Sequence, residues 1–374
     1  MVDKINIPPT EPYFSSEDIE IILEDFKSIL RGDGLLSMSK HGERLENNFS
    51  RYVGTNYAVA TNSGTSAIEL ILRAVGVEGT EVIIPSNTFI ATAISVLNAG
   101  GEVVFADCND EMCLDYEDVV NKITPKTSVI IQVHIGGIVS SSTQDLMSIA
   151  TEHGIELVED AAQSHGSSLE GKMAGSFGIA AAFSFFSTKI MTTGEGGMVT
   201  TNSRKLSEKM LSLREFGKVK HGIYQNYHTA LGFNGRMPEV SALMGLRQLE
   251  FIEKNINRRR KIASIYDEYL CDVEEIGFIR QRSAGQYNYF KYIVDLKGRN
   301  RSAIHKGMVK NGVTPSGYVY EIPLHKQPVF QSNHSADFPR TEYYSENHFC
   351  LPIYFSLADS EVRSIATIFS KLLL

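Results

Sequence analysis

The chain has no tryptophan and only four cysteines among its 374 residues. Cys108, Cys113, Cys271 and Cys350 form no CxxC pair and show no metal-ligand spacing. That argues against a zinc centre or a disulfide framework, and unpaired thiols fit a reducing compartment. No apolar run reaches the roughly 18 residues needed to cross a bilayer. The opening MVDKINIPPTEPYFSSEDIE lacks the apolar centre of a signal peptide. The expectation is a cytoplasmic protein with no membrane contact. Positive charge is also short, since the formal net charge is -8. The one dense basic run, Arg258, Arg259, Arg260 and Lys261, sits in the helical pattern NINRRRKIASIYDEYL and reads as a solvated helix face ahead of the alternative, a phosphate-binding patch. Nucleic acid is therefore not an expected partner. There is no GxGxxG between an opening strand and a helix, no Walker A sequence and no HExxH, so nucleotide-fold and zinc-hydrolase readings find no support and no metal is expected.

Hydrophobic residues make up 43% of the chain, an ordinary share for a globular protein that buries several core layers without staples. The length suggests about two to three domain-sized units. Short β-rich runs alternate with helical patterns from about residue 57. Strands are expected at Tyr57 to Thr61, Glu81 to Pro85, Glu102 to Ala106, Ser128 to Val133, Ile155 to Glu159, Ala180 to Phe185 and Gly197 to Thr201. Helices are expected at Ser66 to Val75, Ala91 to Ala99, Asp115 to Lys122 and Gln144 to His153. Continuous apolar strands between helices mean an α/β fold whose sheet is mostly parallel and covered on both faces. A long helix follows from Glu239 to about Leu270, then a strand near Tyr289 to Val294 and a final helix from Ser360 to Leu374. These are read as a smaller C-terminal α+β domain. The division is 1–250 for a large domain with an N-terminal helical segment, and 251–374 for the small one.

In a parallel sheet, ligands collect beyond the carboxyl ends of the strands. Three segments fall there. Asn62 to Ser66 (NSGTS) opens an apolar helix, and its small and hydroxyl residues suit either a plain N-cap or an anion at free backbone N–H groups. Glu159, Asp160 and Gln163 follow the strand IELVE. A carboxylate buried there needs a cationic partner, and a protonated pyridine nitrogen is one. Ser184 to Lys189 (SFFSTK) precedes the glycine-rich TTGEGG. A lysine in that place is either a surface residue or an inward-facing amine of lowered pKa that forms a Schiff base. An Asp, a Ser and a Lys in this order are what an enzyme needs to hold pyridoxal 5'-phosphate (PLP), with Asp160 on the ring nitrogen and Lys189 on the aldehyde. Glu195 receives no catalytic role.

Several segments together resemble the DegT/DnrJ/EryC1/StrS sugar aminotransferases over nearly the whole chain. They are NSGTSAIEL, EVIIPSNTFIATAISVLNAGGEVVFAD, VHIGG, VEDAAQSHGS, FSFFSTKIMTTGEGG, YHTALGFNGRMPEVSALMGLRQLE, PLHKQPVF and LPIYFSLADSEV. The resemblance implies the fold type I (aspartate aminotransferase-like) PLP-dependent transferase architecture, with a seven-stranded large domain. It implies that Lys189 is the Schiff-base lysine and proton carrier, that Asp160 pairs with the pyridinium, and that Gln163 lies near the ring hydroxyl. By the same resemblance Gly64, Thr65, Ser66 and Ser184 form a phosphate cup and Phe89 stacks on the ring. Asn234 would reach the phosphate of a neighbouring subunit, making a homodimer with shared sites, and Arg236 and His325 would lie near the substrate.

The implied reaction cycles PLP through pyridoxamine 5'-phosphate (PMP). L-glutamate is the donor, and the acceptor is the C4 or C3 ketone of a nucleotide-linked keto-deoxysugar, made for lipopolysaccharide O-antigen, another polysaccharide or a natural product. Two departures stand out: Ser187-Thr188 replaces a proline-containing turn, and GLLSMSKHG replaces a common Gly-Pro form. The alternatives are a regulatory PLP-binding protein without turnover and a same-fold enzyme with another reaction, a dehydratase or an aminotransferase of a small ketone. Lys189 opposes the dehydratase branch that carries His at this place, and no helix-turn-helix accompanies the intact Asp/Ser/Lys set.

Overall fold

Two helices precede the sheet in the computed structural model, which describes residues 6–330 and 337–373: α1 (Ser16–Leu30) and α2 (Lys40–Val53). The sheet strands are β1 (Tyr57–Thr61), β2 (Glu81–Pro85), β3 (Glu102–Ala106), β4 (Thr127–Val133), β5 (Glu156–Asp160), β6 (Ala180–Ser184) and β7 (Gly197–Thr201). Between them run α3 (Gly64–Val75), α4 (Ile90–Asn98), α5 (Tyr116–Lys122) and α6 (Ser142–His153). The sheet order is β1-β7-β6-β5-β4-β2-β3. Strands β3, β2, β4, β5 and β6 pair in parallel. Only β7 is reversed, running antiparallel to both β6 and β1. All five residues of β6 are buried, as required of a strand covered on both faces.

Local chemistry sets the element ends. The Ser63 side chain caps α3 by accepting the Ser66 amide at 3.0 Å, so the helix begins at Gly64, two residues before the expected start. Asp115 caps α5 in the same way. At α2 the capping group comes from far along the chain. The Glu239 carboxylate accepts the amides of Ser39, His41 and Gly42 at 2.9, 2.8 and 3.2 Å, placing negative charge where the helix N-terminus favours it.

Glu239 opens the long helix α8 (Glu239–Leu270), which follows α7 (Arg204–Leu213) and a hairpin of Lys218–His221 with Tyr224–His228. Beyond α8 lies a three-stranded antiparallel sheet of β8 (Gly277–Ile279), β9 (Tyr292–Asp295) and β10 (His348–Leu351), in that order. With it pack α9 (Arg301–Lys310) and α11 (Asp359–Leu373), while α10 (Pro339–Asn347) leads into β10 and buries Tyr344 in another core. Strand β9 starts later than the expected Tyr289 because Tyr289 adopts a left-handed φ of 50°, which breaks the extended run. Leu374 of the expected final helix lies outside the described residues. A separate apolar core joins Ile262, Tyr266, Val294, Phe349, Ile365 and Phe369, and Ile7 from the N-terminal segment is part of it. Ile7 pairs with Val313 in an isolated parallel bridge. The four cysteines are free, with Cys108, Cys113 and Cys350 buried. Among the described residues no helix is long and apolar enough to cross a membrane.

The basic run on α8 corrects one expectation. Arg258, Arg259 and Arg260 do not form a solvated face, because the C-terminal segments fold against this part of the helix and bring unpaired carbonyls to it. Arg258 binds Asp359 and the Leu357 carbonyl, and Arg260 donates from Nε to the Tyr287 carbonyl at 3.1 Å. Arg259 is buried, at 4% exposure. Only Lys261 is exposed, and it pairs with Asp359 at 2.7 Å.

Candidate active site

A cavity of about 630 Å³ opens beyond the carboxyl ends of β4, β5 and β6. Asp160, the last residue of β5, lies on its wall and is buried. Its Oδ2 accepts the Thr92 hydroxyl at 2.8 Å and its Oδ1 accepts the Ala162 amide at 3.2 Å. The Thr92 hydroxyl also lies 3.0 Å from that of Thr88, in the loop just before α4. Burial pushes the carboxyl of Asp160 up from its ordinary range, against the pull of Thr92, Ala162, Lys189 and His134. A buried carboxylate with two neutral donors is chemically incomplete, and a cation entering the cavity completes it.

Lys189 supplies the amine. It lies on the same wall, half-buried, in the loop that joins β6 to the reversed β7. The loop is closed by Phe185 N–H on the Gly196 carbonyl at 2.9 Å and Thr193 N–H on the Phe185 carbonyl at 2.9 Å. Ser187 and Thr188 need no proline to hold their turn, since Ser187 Oγ donates to the Gly194 carbonyl at 3.1 Å. Lys189 Nζ makes no hydrogen bond to a described residue and stands 4.9 Å from the centroid of the Phe290 ring. Burial pulls its pKa down to about 8, Asp160 opposing and Lys291 adding to the fall. Near neutral pH a useful fraction of this amine is therefore unprotonated and nucleophilic.

A phosphate-sized cradle occupies another part of the wall, formed by Ser63, Gly64, Thr65 and Ser184. Amides in the first turn of α3 have no intrahelical carbonyl to bind and face an anion site by construction. Gly64 is imposed by contact, because a Cβ there would lie 2.7 Å from Ser184 Cβ. Its absence lets the start of α3 approach the end of β6, bringing backbone amides and the Ser184 hydroxyl together. Phe89, at 68% exposure, and Gln163 complete this side. Gln163 Oε1 accepts the Gly136 amide at 2.7 Å, which leaves Nε2 to donate. The free anion donors, the incompletely paired carboxylate and the depressed amine fit a phosphorylated pyridine aldehyde.

The structure thus gathers Gly64, Thr65, Phe89, Asp160, Gln163, Ser184 and Lys189 on one cavity. Four other candidates lie off it. Ser66 donates its amide to Ser63 Oγ and its own hydroxyl oxygen accepts the Ser63 hydroxyl, each at 3.0 Å. Asn234 is exposed, and its carbonyl accepts from Asn62 Nδ2 at 3.0 Å. The Arg236 guanidinium stands 5.3 Å over the Phe216 ring. His325 Nδ1 lies 2.6 Å from Ser86 Oγ and its Nε2 lies 3.1 Å from Glu342 Oε1. Glu195 sits exposed at the cavity rim. Sequence reasoning missed Thr92, Arg259, Phe290, Lys291 and Ser316. Thr92 had a faint signal, a hydroxyl in the first turn of the helix that follows the SNTF loop. Arg259 and Lys291 had none, since they meet only when the C-terminal unit folds onto α8.

The sequence matches the DegT/DnrJ/EryC1/StrS aminotransferase family model over residues 16–370. It is 32% identical over 338 residues to GDP-perosamine synthase of Vibrio cholerae, covering 88% of this chain and 90% of that protein. It is 32% identical over 346 residues to UDP-N-acetyl-3-dehydro-alpha-D-glucosamine 3-aminotransferase of Acidithiobacillus ferrooxidans, covering 91% of each. The Streptococcus pneumoniae protein Spr1654 in its PLP form superposes with a TM-score of 0.90 at 26% identity, covering 98% of each chain.

Proposed function

Because the chain belongs to the DegT/DnrJ/EryC1/StrS aminotransferase family, we propose that it is a PLP-dependent enzyme that moves the amino group of L-glutamate to the C4 or C3 ketone of a nucleotide-linked deoxysugar. The observation that carries this reading is the convergence of an incompletely paired Asp160, a depressed Lys189 and the Gly64–Ser184 cradle on one cavity.

When bound, PLP supplies an electron sink for the carbanion at the donor's Cα. The protein's own residues do the rest. Asp160 holds a proton on the ring nitrogen, with Thr92 and Ala162 fixing its oxygens. Lys189 Nζ would hold the aldehyde end of the cofactor and, as the free amine, would take and return the donor's Cα proton, work suited to an amine whose pKa burial lowers to about 8. Gly64, Thr65 and Ser184 would hold the phosphate end, Phe89 would cover the ring and Gln163 Nε2 would donate to its hydroxyl. Arg236 and His325 belong to the substrate side in this reading. So does the division into a cofactor-binding unit over 1–250 and a small unit over 251–374, with α8 running through the boundary.

Asn234 supports a shared-site homodimer. It is exposed and outside its own cavity, in a stretch where Ile223 and Leu231 are each 90% exposed. A second copy covering this stretch would carry Asn234 to its neighbour's phosphate. Asn234→Ala is then expected to weaken cofactor retention in a dialysis assay, and unchanged retention removes the shared site.

The reaction is tested by the visible spectrum of the PLP-loaded protein before and after L-glutamate, followed by analysis of the product formed from a keto sugar nucleotide. The expected result is conversion to the PMP spectrum and then an amino sugar. A spectrum indifferent to glutamate ends the proposal.

A further inference from the structure

One part of the cavity wall carries more positive charge than the roles above consume. Lys189, Arg259 and Lys291 all line the cavity, against Asp160 inside and Glu195 at the rim. Arg259 spends Nε on Asn255 Oδ1 at 3.2 Å, and Nη1 on the carbonyls of Ile353, Tyr289 and Phe290 at 2.9, 3.2 and 3.5 Å. Its Nη2 makes no hydrogen bond to a described residue. Burial alone draws this guanidinium down to about 10, with no carboxylate opposing. Lys291, half-buried, likewise has no carboxylate partner among the described residues. Its Nζ donates to Ser316 Oγ at 2.9 Å and to the Ser316 carbonyl, and burial lowers its pKa, Cys350 opposing and Arg259 adding to the fall. The Phe290 ring carries the Lys189 ammonium at 4.9 Å and the Lys291 ammonium at 5.6 Å from its centroid.

A buried guanidinium and a half-buried ammonium held only by neutral groups are an expensive arrangement unless an anion joins them. We propose that Arg259, Lys291 and Ser316 form a seat for a carboxylate of the amino donor. A carboxylate offers two oxygens that meet a guanidinium N–H and an ammonium with charge-assisted bonds. A phosphate finds its backbone amides elsewhere, at the first turn of α3, and a neutral sugar ring brings no charge to this wall. The inference rests on the aminotransferase reading for the identity of the donor. The seat itself rests on the wall.

The probe is glutarate, a dicarboxylate with no amine to transfer, titrated by calorimetry into the PLP-loaded protein and its variants. UDP, GDP and dTDP form the nucleotide arm. Lys291→Met is expected to raise the glutarate Kd about tenfold or more, the scale of a lost charged hydrogen bond. Lys291→Arg should recover part of that, and Ser316→Ala should raise it about threefold. Nucleoside diphosphate affinity should not move, and the KM for L-glutamate should rise with the glutarate Kd. An unchanged glutarate Kd in Lys291→Met overturns the seat. So does loss of nucleoside diphosphate binding with glutarate retained, which would make the wall a diphosphate site. If Lys291→Met fails to fold, an unchanged Kd in Ser316→Ala overturns it equally. A protein that ignores glutamate yet binds glutarate through Lys291 keeps the seat and loses only the transamination reading.

Discussion

Glu159 and Asp160 are consecutive residues of β5, and their side chains leave opposite faces of the sheet. Both are buried, yet their surroundings differ. Glu159 accepts the amides of Phe177 and Gly178 on Oε1 at 2.7 and 2.9 Å. Its Oε2 accepts the Gly175 amide at 2.7 Å and lies 2.9 Å from His134 Nε2. Asp160 has only the Thr92 hydroxyl and one amide, and it borders a cavity. The fully paired carboxylate ties the 175–178 loop and the residue after β4 to the sheet. The partly paired one waits for a ligand. Burial alone does not separate the two; unmet bonding capacity does.

The contrast breaks most visibly in turnover. Lys189→Ala and Asp160→Asn are each expected to cost about 10³-fold or more in rate while leaving the thermal midpoint nearly unchanged. A Glu159→Gln variant with the same kinetic loss and an intact fold would erase the distinction. Stability should respond in the opposite pattern. Glu159→Ala strands three amides and a histidine, and a loss of about 3–5 kcal/mol is expected in denaturant titration. Full stability there would mean that Glu159 is no structural anchor. Thr92→Val sharpens the comparison from the other side, since it removes one of the two donors on Asp160. A rate decrease of about tenfold with little change in stability is expected, in line with one hydrogen bond.

The smallest effect is in pH dependence. The rate at which cofactor-free protein takes up PLP should rise with a midpoint near 8, where Lys189 sheds its proton, rather than near the ordinary 10.5. The folded pKa is depressed, so between about 8 and 10.5 the unfolded chain holds a proton that the folded chain has released. Stability of the cofactor-free protein should therefore gain from Lys189 as pH rises through that window. A midpoint near 10.5 would show that burial does not tune this amine.

Much of the site was legible because it is local. Asp160, Ser184 and Lys189 stand at the ends of apolar runs that form β5 and β6, and Gly64 opens the helix after β1. What was not legible depends on distant contacts. Nothing in GMVTT tells a parallel strand from an antiparallel one, so the reversal of β7 shows only in its pairing. Arg258, Arg259 and Arg260 look alike in sequence, but successive helical residues point about 100° apart, and Arg259 turns into the core. Lys291 immediately precedes β9, and its place on the cavity comes from packing that no local pattern encodes. His325, assigned to the substrate side from the resemblance, is held between Ser86 and Glu342, a link across 239 residues in one direction and 17 in the other.

The reversed strand has a consequence for timing. A lysine that is bonded to its cofactor for only part of a cycle cannot rely on that bond to stay in place. Because β7 runs back beside β6, Lys189 rides on a short arch pinned at both feet by Phe185, Thr193 and Gly196. In the proposed reaction the free amine would return to the same address after every release, so each turn of the cycle would start from the position in which the last one ended.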